Sequence, residues 1–218
     1  MSKLFMYGTS LEGIEQLMVM VPNFHPRRSG IIINNYFNYE GGDGNCHSRG
    51  YVPFNIRPNI YEMEYKNLVK YCFGRIENYY LKDRLKFLTD KFKGEVFLDP
   101  KHKERFYNYL HKQDLDIHDI SSRYIAILFL LTADETLWNL SKDTVKPNGV
   151  DFNKSNLKQI STNGYALFQT AKTISTGEER IKISEIADKD LINDMTFKAI
   201  INSALITRYG SDIFLITK

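Results

Sequence analysis

The residues best suited to recognition chemistry lie in the first 60 positions of the chain. His25-Pro-Arg-Arg-Ser29 is followed by Tyr36, Tyr39, Arg49, Tyr51 and Arg57. Arg and Tyr are the types that dominate binding hot spots. Arg also presents a planar fork of donors that matches carboxylates and phosphates, and Tyr stacks on bases. Arg27, Arg28, Tyr36, Tyr39, Arg49, Tyr51 and Arg57 are therefore candidate contacts for a protein partner or for nucleic acid. The competing reading is a solvated turn beside a half-buried strand.

Other groupings explain themselves without a site. The Gly-rich segment 40–50 lacks the Gly-Lys-Ser/Thr ending of a phosphate-binding loop, and no capped helix follows it directly. Its one Asp and one Glu do not fill a calcium cage of six to eight oxygens, so a surface loop is expected. Cys46 and His47, with His25 and Cys72, lack the paired spacing of structural zinc sites. Cys46 is either an inert loop cysteine or a thiol activated by His47 and Arg49. His102 and His111 are nine residues apart, about 180° around a helix, so they cannot share a site; solvated or capping roles are expected for them. Asp190 and Asp194 read as acids at a helix start, where the macrodipole favours them. There is no nucleophile elbow, zinc-protease motif or dinucleotide fingerprint. No catalytic residue, metal set or cofactor is assigned.

The elements that must carry these residues follow from pattern and caps. A helix is expected over 10–21, then the most strand-like run of the chain over 30–37, then the Gly-rich loop. Helices are expected over 61–73, ended by Gly74, and over 78–93, where Leu81, Leu85, Leu88 and Phe92 form a stripe. Asp99-Pro100 opens a helix to about Lys112, with Phe106, Tyr107 and Leu110 facing inward. The run 123–131, opened by Ser121 or Ser122, is apolar nearly all round and should be buried centrally. A capping box is read at Thr132-Ala-Asp-Glu135, and a turn at Pro147-Asn-Gly149. Helices over 162–175 and 191–209, stopped by Gly177 and Gly210, enclose one extra turn at 184–187. The fold class expected is predominantly α. A small α+β N-terminal region, 1–96, packs on an all-helical domain, 97–218.

Composition sets the outer limits. The chain has 218 residues, 43% of them hydrophobic, enough for a core without disulfides or metals. Residues 1–96 hold 13 Lys+Arg against 10 Asp+Glu, and residues 97–218 hold 16 of each, so the basic excess of +3 sits in the first part. It is too small to announce a nucleic-acid binder. Two isolated cysteines suggest a reducing compartment. The longest apolar run, 125–131, falls far short of the roughly 20 residues that span a bilayer. A cytoplasmic protein without membrane contact is expected.

Four stretches carry a resemblance: Phe97-Leu-Asp-Pro-Lys-His-Lys-Glu-Arg-Phe106, Tyr124-Ile-Ala-Ile-Leu-Phe-Leu-Leu-Thr-Ala-Asp-Glu135, Gly164-Tyr-Ala-Leu-Phe-Gln-Thr-Ala171 and Ile206-Thr-Arg-Tyr-Gly210. Over 97–210 the chain resembles an uncharacterised family of small helical proteins from low-GC Gram-positive bacteria, carried on phages and mobile elements. Over 1–40, where Met6-Tyr-Gly-Thr-Ser-Leu-Glu-Gly-Ile-Glu-Gln-Leu17 stands, it is similar to longer members that carry a Cys-rich stretch after the strand; here Cys46 and His47 remain. The resemblance implies a helical fold and a mobile-element origin, and it supplies no catalytic residues. The function expected is a non-enzymatic interaction protein that binds a host or effector protein through the basic N-terminal region. Counter-defence, such as inhibition of a CRISPR nuclease, is one concrete form. The alternatives are nucleic-acid binding by the same surface and an enzyme of unrecognised type using Cys46 or His47.

Overall fold

The apolar run at 125–131 becomes the axis of the fold. In the computed structural model, residues 63–155 and 157–216 are described, and they belong to the second of two units into which the chain divides, Pro58–Lys218. Helix α4 (Ser122–Ala133) buries every residue from Tyr124 to Ala133. It can do so because it is surrounded. Helices α6 (Thr162–Thr176) and α8 (Asp194–Tyr209) make the largest packing faces with it, and α3 (Pro100–Lys112) and α5 (Glu135–Ser141) complete the shell. Helices α1 (Tyr65–Phe73) and α2 (Tyr79–Asp90) pack on each other, and α2 also packs on the short α7 (Ile183–Ala187). The eight α-helices of the described residues make the fold predominantly α. None is long and apolar enough to cross a membrane.

Local chemistry starts most of these helices in one way. Asn78, Asp99, Ser121, Asp134, Ser161 and Asn193 each sit in extended backbone and accept the amide three residues on. Each such cap satisfies one orphan N–H and contributes about 1 kcal/mol. The ends are as legible. Gly177 takes a left-handed φ of 76° after α6, and Gly210 a φ of 69° after α8, conformations a side chain disfavours. Gly74 instead stays right-handed. It is held to glycine by closeness, because a Cβ there would lie 2.5 Å from the Lys70 carbonyl oxygen.

The structure moves several expected features. The capping box at Thr132 is replaced by a cap on Asp134, which accepts from the Leu137 amide at 2.7 Å. Thr132 belongs to α4 and donates back to the Leu128 carbonyl at 2.8 Å, so its hydroxyl is spent inside the helix. The last helix begins at Asp194, three residues late, because Asn193 is the cap. Asp190 therefore precedes the helix, and its amide bonds the Asp188 carboxylate at 2.8 Å. Tyr107 is 39% exposed, and Tyr109 and His102 take inward positions on α3 instead. The turn at Pro147-Asn-Gly149 joins two short antiparallel strands, β1 (Val145–Lys146) and β2 (Gly149–Val150), within the part expected to be all-helical. The helix expected over 10–21, the strand over 30–37 and the Gly-rich loop all lie outside the described residues.

Helices α1 and α2, which the division expected at residue 96 places with the N-terminal region, contribute to the same core as the helices after Gly94. One buried junction ties them. The Tyr65 hydroxyl donates to Asn202 Oδ1 at 2.6 Å, and Asn202 Nδ2 donates to the Val96 carbonyl at 2.8 Å. The Tyr65 ring stacks on Phe92 with centroids 3.7 Å apart. Removing the hydroxyl by Tyr65→Phe leaves a buried amide oxygen without its donor. Urea unfolding should report a loss of about 1.5 kcal/mol. A change below about 0.5 kcal/mol would show that the junction is packing alone.

Candidate functional site

Every recognition residue singled out from the sequence lies outside the described residues. This holds for Arg27, Arg28, Tyr36, Tyr39, Arg49, Tyr51 and Arg57, and also for His25, Cys46 and His47. Among the described residues, no group of three or more His, Cys, Asp or Glu side chains converges on a common point.

The most distinctive chemistry in the described residues is a buried arginine on α2. Leu81, Leu85 and Leu88 turn inward as expected, and Arg84 sits within the same stripe at 1% exposure. A cation has been placed where the helical period demands an apolar residue. That break in the apolar stripe is the available sequence signal. Burial costs a charge heavily unless it is paired. Arg84 meets this with Nη1 donating to the Ile186 and Asp188 carbonyls, at 3.0 and 3.2 Å. Its Nη2 donates to Asp194 Oδ1 at 3.3 Å, and its guanidinium carbon stands 4.1 Å from the centre of the Phe197 ring. These contacts close the C-terminal end of α7 and hold the first turn of α8 against α2. Burial lowers the Arg84 pKa, and Asp194 offsets only part of that shift. One donor remains: Nε is the buried side-chain nitrogen or oxygen of the described residues that has no hydrogen-bond partner.

A cleft of about 190 Å³ opens beside this arginine. Phe87, Leu88, Phe92, Met195 and Phe197 make its walls apolar, and Lys91, Lys198 and Asp194 join Arg84 in its lining. Lys198 donates to the Phe97 carbonyl at 2.9 Å, and partial burial pushes its pKa down while Glu95 holds it up. A larger depression of about 320 Å³ lies against Lys93, Lys103, Tyr107 and Phe214. Its charged residues are all exposed, so no desolvated group there demands a ligand. The smaller cleft includes the buried Arg84 in its lining.

The outer face of α2 continues from this cleft. Tyr80, Phe87 and Lys91 recur at helical spacing on one side of the helix, beside the buried Arg84. Tyr79 and Tyr80 are 75% and 72% exposed, and their rings meet edge to face at 5.9 Å. Phe87 and Met195 are exposed as well, at 40% and 46%. Large apolar rings this open to water are characteristic of contact surfaces.

The remaining perturbed groups are held in unreactive forms. His102 is fully buried, which corrects the expectation that it is solvated. The Leu98 amide donates to its Nδ1 at 3.3 Å, so that nitrogen carries no proton, and Nε2–H donates to the Phe129 carbonyl at 2.9 Å. Burial lowers its pKa to about 3. The capping expectation holds in part, since Nδ1 satisfies an amide just before α3. His111 is exposed on the opposite face of α3, as the spacing requires. Burial pushes the Cys72 thiol pKa up, and its Sγ lies 3.6 Å from the Tyr209 hydroxyl. Burial also raises the pKa of the Tyr65, Tyr124 and Tyr209 hydroxyls. In place of paired carboxylates, Asp188 accepts the Asp190 and Leu191 amides and Asp194 accepts from Arg84.

These groups combine a desolvated cation, an apolar cleft and an exposed aromatic helix face, an arrangement suited to holding a ligand or partner. No family model, no curated protein and no solved structure matches the chain.

Proposed function

We propose that this protein acts by binding a protein partner and not by catalysis, and that it originates from a phage or mobile element. The observation that carries the reading is the exposed aromatic face of α2, with Tyr79 and Tyr80 about three-quarters open to water on a rigid, well-capped helix. Tyr supplies a large amphipathic contact at low entropy cost, and such residues concentrate binding energy. The perturbed ionisable groups add support. His102 is neutral with both ring nitrogens engaged, and Cys72 is shifted away from the thiolate. A catalytic centre tunes such groups toward reactivity.

The partner would be a host or effector protein; the Tyr- and Arg-bearing residues 27–57 are a second candidate surface for it, read independently of the α2 face. Inhibition of a CRISPR nuclease is the concrete form this takes under the mobile-element resemblance. Affinity capture from the encoding organism, with mass spectrometry, should be run side by side with the wild type, Tyr79→Ser/Tyr80→Ser and Arg27→Glu/Arg28→Glu. One protein should be enriched by the wild type and reduced at least tenfold by each variant. The α2 variant should unfold within about 0.5 kcal/mol of the wild type, because both tyrosines are exposed. Equal recovery by all three proteins would overturn the reading. Recovery of nucleic acid that is lost steeply with salt would replace it with the nucleic-acid alternative.

A further inference from the structure

The basic excess of the chain falls on one stretch. Residues 1–62 hold five Lys and Arg against five Asp and Glu, and residues 97–218 are balanced as well. The whole excess of +3 therefore lies in residues 63–96, with eight against five. Those residues form helices α1 and α2 and their flanks. Packing then sorts the charges. Arg84 is buried, Lys66 pairs with Asp90 at 3.1 Å, and Lys189 pairs with Asp83 at 3.4 Å. Lys91 stands 4.0 Å from the centre of the Phe87 ring. Lys70, Lys82 and Lys86 are exposed, and among the described residues their ammonium groups have no hydrogen bond, ion pair or ring contact. These three lysines form one row. The Lys66–Asp90 pair joins the start of α1 to the end of α2, so the two helices run antiparallel. Lys70 lies one turn on from Lys66, and Lys86 one turn back from Asp90, which sets the two lysines at the same level across the pair. Lys82 follows one turn along α2, and Tyr79, 75% exposed, stands three residues before it.

We infer that the protein bound by the α2 face is acidic, and that it sets separate Asp or Glu side chains on Lys70, Lys82 and Lys86 beside the Tyr79 and Tyr80 rings. The inference rests on the protein-partner reading and gives that partner its chemistry. Opposite charge across an interface steers encounter, suppresses wrong partners and fixes register. The open tyrosine rings supply the apolar contact that such charges surround. A phosphate chain or an anionic lipid surface fits the row less well. Asp83 and Asp90 stand among the lysines with 56% and 46% of their side chains exposed, so an evenly charged polyanion laid along the row would run over both carboxylates. The carboxylates of a folded protein are placed one at a time and can meet the lysines while avoiding the aspartates.

The test titrates poly-L-glutamate of about 20 residues into the full chain at about 0.1 M ionic strength, where the screening length is about 10 Å and only nearby charges count. NMR should show the α1 and α2 amides and the Tyr79 and Tyr80 rings shifting to saturation. Lys70→Glu/Lys82→Glu/Lys86→Glu should weaken this binding at least about tenfold. Lys101→Glu/Lys103→Glu/Lys112→Glu makes the same change of net charge on α3 and should weaken it less than about threefold. Lys70→Gln/Lys82→Gln/Lys86→Gln adds no like-charge pair, so it should keep the urea midpoint of the wild type and still bind severalfold more weakly. The inference is overturned if the peptide does not saturate, if the shifts fall outside α1 and α2, or if the two glutamate triples bind alike. It is also overturned if oligo-dT of equal length binds more tightly than the peptide, which would assign the row to nucleic acid. Affinity capture with the glutamine triple separates this inference from the reading beneath it. A protein lost with Tyr79→Ser/Tyr80→Ser and also with the glutamine triple supports both. A protein lost with the tyrosine variant but kept by the glutamine triple leaves the partner reading standing and removes the acidic contact. Capture of no protein that depends on Tyr79 and Tyr80 removes both.

Discussion

Stability is expected to fall by about 3 kcal/mol between pH 7 and pH 4 through one side chain, His102, beyond what the carboxylates contribute. The folded protein holds this imidazole neutral, with its pKa lowered from the ordinary 6.5 to about 3, chiefly by burial. The unfolded chain takes up the proton near pH 6.5, and the folded chain does not until near pH 3. The unfolded state therefore binds more protons throughout this window. The stability is fully present above the unfolded value, is lost as the pH falls, and stops falling below about 3. The slope approaches about 1.4 kcal/mol per pH unit in the middle of the window. Urea midpoints across the range for the wild type and His102→Gln would measure it. The variant cannot ionise at this position, so its curve should be flatter by the stated amount, whatever its stability at pH 7. Parallel curves would mean that the ring is charged in the fold, with Nδ1 turned away from the Leu98 amide.

Arg84→Ala should destabilise the protein by about 3 kcal/mol, since it strips donors from two carbonyls and removes packing over Phe197. Asp194 adds little to this cost, because its side chain remains solvated. The damage should be local before it is global. Helix α7 is only five residues long and its C-terminal carbonyls are bonded by this side chain, so amide exchange over 183–188 should accelerate first. Arg84→Lys should recover less than half of the loss. A lysine offers one compact ammonium where three acceptors lie around a planar fork. If Arg84→Ala costs less than about 0.5 kcal/mol, the buried guanidinium is not what closes α7 onto the core.

Helix ends and the buried axis could be read from the residues alone, because their causes are local. A side chain that accepts an amide three positions later needs no distant partner, so Asp99 and Ser121 announce helix starts wherever the helix packs. Gly177 and Gly210 mark stops because each takes a positive φ, which glycine adopts without steric cost. The run at 125–131 has no polar face to present, so it could only become the centre of something. The errors have local causes as well. Thr132 and Asp134 both fit a cap, and the choice depended on whether α4 ran two residues further, to Ala133. Asn193 outcompeted Leu191 as the start of α8 because its side chain reaches the Thr196 amide at 2.8 Å.

The site could not be read in this way. Within its own helix Arg84 shows only as a cation in an apolar stripe; the Ile186 and Asp188 carbonyls that receive it lie about a hundred residues later. His102 looked like a solvated histidine until α4 brought the Phe129 carbonyl to its Nε2. Periodicity tells which face of a helix is buried, but not which acceptors will be waiting there. A buried polar group takes its meaning from partners distant in sequence, and packing brings those partners together. Segment chemistry thus accounts for the helices, their caps and the central position of α4. Long-range packing accounts for a desolvated cation beside an apolar cleft, and for the neutral, inert state of the buried histidine.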